Sequence, residues 1–178
     1  MRLVRDRVSL VAAMREHGVD WLAPSDAPGG GSIEPATLVA SLAAHDDPRL
    51  RAALTGLFIL RPEFSALVAE VRQALEPTAC DEMSARYMAA AYLQRLWRTR
   101  LGLYLEDSPE LPDLYSESLG LPLANQGYGK PGLLALAEWH KQRTAMPYNR
   151  LAEYNRVLEH VFASLKRRAI AHEPTLSG

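Results

Sequence analysis

Apolar residues recur at three- and four-residue intervals through most of the chain, and period-two alternation is almost absent, which predicts an all-α fold. The clearest stretch runs from Asp46 to Leu75. Asp47 is a good N-cap and Pro48 suits the first helical position, where its missing N–H is no loss. Leu50, Leu54, Leu57, Phe58 and Leu60 then form one apolar face, and Pro62 ends the helix by pushing Arg61 out of helical angles. A second helix follows, with Phe64, Leu67, Val68, Val71 and Leu75 inward, and a short one, Pro35 to Ala44, precedes the pair. Helix, Asp-Asp-Pro turn, helix is a HEAT-like unit, but no second copy occurs at fixed spacing, so a repeat array is not implied.

The other elements follow from the same periodicity. Arg7 to His17 reads as a helix stopped by Gly18, and Val19 to Leu22 as a strand or a packed loop. Ala23 to Ser32, rich in Gly and Pro, reads as a flexible loop or hinge. Thr78 to Leu101 is the longest helix, capped by Thr78, with Asp81 and Glu82 near its start and Arg95, Arg98 and Arg100 near its end, as the macrodipole favours. It is expected at the centre of the bundle, its thin Met-Ala-Ala-Ala section allowing close approach. Asp113 to Gly120 suggests one or two helical turns, Leu121 to Gly132 is irregular, and Leu133 to Arg143 is a helix. The last helix spans Pro147 to about Ala171, with Leu151, Tyr154, Leu158, Val161 and Leu165 as a coiled-coil-like seam. The expected organisation is thus an N-terminal helix and loop over residues 1–32, a single compact helical core over 33–172, and a frayed tail over 173–178.

Composition narrows the function. The chain has 178 residues, 48% hydrophobic and 23% charged, enough for a core without staples. A net charge of −1 gives no global pull toward nucleic acid or anionic membrane. Cys80 is alone, so it forms no intrachain disulfide and reads as structural. No signal peptide or membrane span is visible, so cytoplasm is the expected location.

Candidate chemistry is sparse. No metal-ligand spacing occurs and no cofactor is expected; Glu106, Asp107, Glu110, Asp113 and Glu117 read as a solvated acidic surface. Gly127-Tyr-Gly-Lys-Pro-Gly132 has the residues of a phosphate loop in the wrong order and reads as a helix-starting turn. Two basic groups, Arg86, Arg95, Arg98 and Arg100 on one helix and Lys166, Arg167 and Arg168 on another, are candidates for nucleic acid, the first interleaved with Tyr87, Tyr92, Trp97 and Tyr104. The four arginines of the first group do not all share one helical face.

Arg167-Arg-Ala-Ile-Ala-His172 resembles the motif of HEPN-type ribonucleases, metal-independent all-α dimers that carry an arginine, a short spacer and a histidine on a helix. The resemblance implies that Arg167 stabilises a cleaved phosphate and His172 handles protons. The chain departs from that pattern with Arg168 in place of the family's polar residue and with the pair at the end of the last helix. A separation of about 140° around the helix also parts the two side chains. No catalytic constellation stands out, so the expected function is non-enzymatic: an accessory or regulatory subunit that binds another protein in a bacterial intracellular complex. Trp21, Tyr115, Tyr128 and Tyr148, in irregular segments, are the candidate anchors, because aromatics dominate interface energetics.

Overall fold

The computed structural model describes residues 1–24, 31–143 and 148–172. Every regular element among them is helical: α1 (Arg7–Glu16), α2 (Pro35–Ala43), α3 (Pro48–Leu60), a 3-10 turn (Pro62–Leu67), α4 (Val68–Gln73), α5 (Pro77–Leu96), α6 (Arg98–Gly102), a 3-10 turn (Gln126–Gly129), α7 (Lys130–Gln142) and α8 (Arg150–His172). The all-α class expected from the periodicity is the fold observed. No single helix is long and apolar enough to cross a membrane.

The start of α3 is as its residues dictate. Asp47 accepts the Arg49 N–H at 2.8 Å and Pro48 takes the first position. Pro62 ends the helix, and the chain turns by 112° into the next segment. That segment is not one continuous helix: Pro62–Leu67 is wound as 3-10 before α4 begins. Phe64, Val68 and Val71 are buried by this winding, while Leu67 and Leu75 are only half-buried.

Helix α5 is the hub. It packs against α2, α3 and α7, and every residue from Met83 to Gln94 is buried. It begins two residues earlier than a Thr78 cap implies, at Pro77 after an N-cap at Glu76, and Thr78 is exposed. It breaks at Trp97, whose φ of −112° and ψ of 21° separate it from α6. The alanines of its Met-Ala-Ala-Ala section are fully buried, and glycines of the neighbouring segment also allow close approach to α5. A Cβ on Gly132 would lie 2.0 Å from the Tyr92 ring, and one on Gly129, which has φ +83°, would lie 2.5 Å from the Tyr92 carbonyl oxygen.

Polar side chains of α5 also hold the irregular segment after α6. Gln94 donates to the Pro109 carbonyl and accepts from Leu111 N–H, Tyr87 donates to Pro112 and Tyr92 to Pro122. These bonds satisfy main-chain groups that no helix or sheet satisfies. Asp113 is exposed, as expected, and also accepts from Ser116 and from Ala124 N–H, while residues 113–120 form turns rather than a helix. Cys80 donates its thiol toward the carbonyls of Arg72 and Leu75, and burial raises its pKa.

At the N-terminus, Leu10, Val11 and Met14 of α1 join the same core as α2–α8. Residues 19–22 are a packed loop. The Gly18 carbonyl accepts from Ser164 at 3.4 Å and from Arg168, and Asp20 pairs with Arg167 at 2.9 Å. Three side chains of α8 thereby tie down the segment that carries Trp21. Most of the expected hinge, and the proline expected to open the last helix, lie outside the described residues; Asn149 accepts the Ala152 N–H at that helix's start.

Candidate functional site

A groove of about 600 Å³ with an apolar floor lies between α3, α8 and the loop carrying Trp21. Pro48, Ala52 and Ala53 form the α3 wall, and Ala152 and Val157 the α8 wall. Gly56 makes room at one end: a Cβ there would lie 2.7 Å from the Trp21 ring and 3.3 Å from Val157. The Trp21 indole stacks on the His160 imidazole, with centroids 5.7 Å apart and planes 11° apart. Tyr148 lines the groove and is exposed. Arg49 and Arg156 also line it, both exposed, and neither side chain makes a hydrogen bond or ion pair with the described residues.

Glu153 lines the same groove and leads inward to a buried polar network. Arg86, 0% exposed, donates Nε to Glu82 at 2.7 Å and Nη1 to Glu153 Oε1 at 2.5 Å. Arg150 donates to the same Glu153 oxygen at 3.0 Å, so two guanidiniums converge on one carboxylate. Glu82 accepts from His140 Nε2 at 2.8 Å, and His140 Nδ1 lies 2.6 Å from the Tyr154 hydroxyl. Arg51 stands 3.7 Å from Glu82.

Protonation states follow from these contacts. Burial alone would raise the pKa of Glu82 and of Glu153, but Arg86 together with His140 at Glu82, and with Arg150 at Glu153, outweighs it, and both lie below the usual carboxylate range. Burial acts against the charge of Arg86, and its two carboxylates more than restore it. His140 is pushed below 6.5 by burial, which its bond to Glu82 only partly opposes, so it is neutral at pH 7. Its contact with Glu82 is therefore a neutral donor on a carboxylate rather than an ion pair. The tautomer that satisfies both neighbours donates Nε2–H to Glu82 and accepts the Tyr154 hydroxyl at Nδ1. Tyr154, fully buried, has its pKa raised by burial. One Arg86 nitrogen, Nη2, and Arg150 Nε have no partner among the described residues.

The anticipated residues fall in several places. Trp21 and Tyr148 both line the groove. Tyr115 is not an exposed anchor: it is buried, edge-on to Tyr87 at 5.7 Å, with Arg72 over its ring. Tyr128 is 79% exposed in a left-handed conformation (φ +56°) before α7 and does not line the groove.

The basic groups do not form one surface. Arg86 is unavailable to nucleic acid because α5 is buried on every side there. Arg95 is turned inward, bonded to Asn125 and to the Ala91 and Leu111 carbonyls. Arg98 is 79% exposed, with Glu110 at 3.6 Å, and Arg100 lies over Phe162 at 3.9 Å. Lys166 is exposed, while Arg167 and Arg168 hold the N-terminal loop. In the HEPN-like pair, Arg167 is paired with Asp20, and His172 Nδ1 is 2.7 Å from the Arg168 carbonyl, so the two are not brought together. The network residues Glu82, His140, Arg150 and Glu153 and the groove arginines Arg49 and Arg156 were not singled out from sequence. One signal was present: Glu82 and Arg86 are an i,i+4 pair inside a helix whose middle has no polar face.

No family model matches the chain, and neither curated proteins nor solved structures provide a match. The site's chemistry therefore rests on its own geometry.

Proposed function

We propose that this chain is a non-enzymatic protein-binding subunit, an accessory or regulatory member of a larger complex, and that the groove between α3 and α8 receives the partner. The observation that carries the reading is that Trp21 and Tyr148, from segments far apart in sequence, both line one groove with an apolar floor, where Gly56 makes room for the Trp21 ring. Rigid aromatics beside a concave apolar surface are the usual anchors of a protein interface. The strongest acid–base cluster favours the same reading. Glu82, His140 and Tyr154 satisfy one another inside the core, with His140 2% and Tyr154 0% exposed, so their polar atoms serve packing rather than a substrate.

The test is affinity capture from the native host with wild type and with the W21A/Y148A double variant, each checked for its helical circular dichroism. The expected result is a stoichiometric protein partner held by wild type and lost by the folded double variant. A partner held equally by both places the interface elsewhere, and turnover of a substrate by the purified chain contradicts the non-enzymatic reading.

A further inference from the structure

The charge around the groove specifies the partner further. Arg49 and Arg156 reach solvent from opposite walls with no described counter-ion. Glu153 is the groove's carboxylate, and it is already neutralised from beneath by Arg86 and Arg150. Both of those arginines are themselves buried and lie beneath Glu153 rather than along the groove. The first residues of α3, Pro48 and Arg49, line the groove, as does Asn149 immediately before α8, so the positive dipole ends of two long helices lie at it. The two exposed guanidiniums, the neutralised Glu153 and the two helix starts favour negative charge in the groove, on a chain whose net charge is −1.

We infer that the groove takes an acidic segment of the partner protein, with carboxylates on Arg49 and Arg156 and an apolar side chain on the floor between Ala53 and Val157. This rests on the protein-binding reading above. A carboxylate suits an exposed, unpaired guanidinium because the fork of donors matches its two oxygens. The floor favours a peptide over a nucleic acid. Ala52, Ala53, Ala152 and Val157 offer no side-chain donors for phosphate or base edges, and one face of the Trp21 ring is already occupied by His160. Two free arginines make a clamp for a short charged sequence, not a track along a phosphate backbone.

Random peptides displayed against the immobilised full chain test this, with W21A/Y148A and R49E/R156E as parallel targets. Arg49 and Arg156 are exposed, with no side-chain partner among the described residues, so the second variant should keep the fold. The expected outcome is enrichment of acidic peptides carrying one apolar anchor. Their affinity should fall about tenfold or more on R49E/R156E and fall with added salt. R49E/R156E should itself enrich basic peptides. Enriched peptides that need Trp21 and Tyr148 but are neutral, basic or indifferent to R49E/R156E overturn the acidic assignment and leave the groove as a docking face. Peptides indifferent to both variants, or no enrichment at all, overturn the docking reading and this inference with it. Retention of labelled single-stranded RNA that R49E/R156E abolishes replaces the acidic segment with nucleic acid.

Discussion

Removing the Arg86 guanidinium is the sharpest perturbation of the interior. In R86A, Glu82 loses its 2.7 Å partner and Glu153 its 2.5 Å partner. Glu153 keeps Arg150, but Glu82 is left with a neutral His140 and with Arg51 at 3.7 Å. Stranding one member of a buried ion pair costs about 3–5 kcal/mol. For a chain of this size that corresponds to roughly 6–20 °C in Tm. The penalty should depend on pH with a defined sign. In wild type the Glu82 carboxyl is held low, so it stays ionised on mild acidification. In R86A nothing outweighs burial, its pKa rises above the unfolded value of about 4.3, and the folded variant takes up a proton that the unfolded chain does not. The stability gap between wild type and R86A should therefore narrow as pH falls through that raised value. Urea unfolding followed by tryptophan fluorescence reads the gap directly, and adding E82Q to R86A should recover part of it at pH 7. A loss below about 1 kcal/mol, well under what a stranded buried charge costs, with a gap indifferent to pH, would refute the network as drawn.

Three further predictions follow from the packing. The depressed pKa of His140 means that the unfolded chain protonates below about 6.5 while the folded chain does not. Stability is thus full above that pH and lost as pH falls toward the depressed value, and H140Q should show a shallower decline than wild type, leaving the similar contribution of His17; equal slopes would sink the neutral-histidine assignment. G132A should cost more than G56A, because the added methyl meets the buried Tyr92 ring in one case and the half-buried Trp21 in the other; overpacking of about 1–3 kcal/mol is expected at Gly132, and equal unfolding midpoints would contradict it. H172A should change stability by less than about 0.5 kcal/mol and should not alter RNA, because wild type should cleave none. A wild-type ribonuclease activity that H172A removes would restore the HEPN-like reading.

Local chemistry made much of the fold readable in advance. Asp47-Pro48 and Pro62 delimit α3 because capping and ring sterics act within a few residues. The apolar spacing of α8 shows as buried Tyr154, Leu158, Val161 and Leu165 for the same reason. What escaped depends on distant partners. The break at Trp97 carries no Pro or Gly, and the ring packs edge-on to Phe162, a helix away. Arg86 looked like a solvent cation because Glu153, which neutralises it, is far along the chain. Tyr115 looked exposed because its burial is made by Tyr87 and by the way α5 holds the loop around it. At the site, Trp21 and Tyr148 could be suspected singly as aromatics in irregular segments. Their place along one groove, and the lack of a described partner for Arg49 and Arg156, are properties of how α3 and α8 lie together.

Photocrosslinking in the native host tests the central claim most directly. A benzoylphenylalanine replaces Tyr148 in the groove or, in a parallel strain, Tyr128 on the exposed turn before α7. The account predicts a discrete protein adduct from position 148 that R49E/R156E weakens, and none from position 128. An adduct from position 128 alone, or from neither position, would contradict the groove as the docking face.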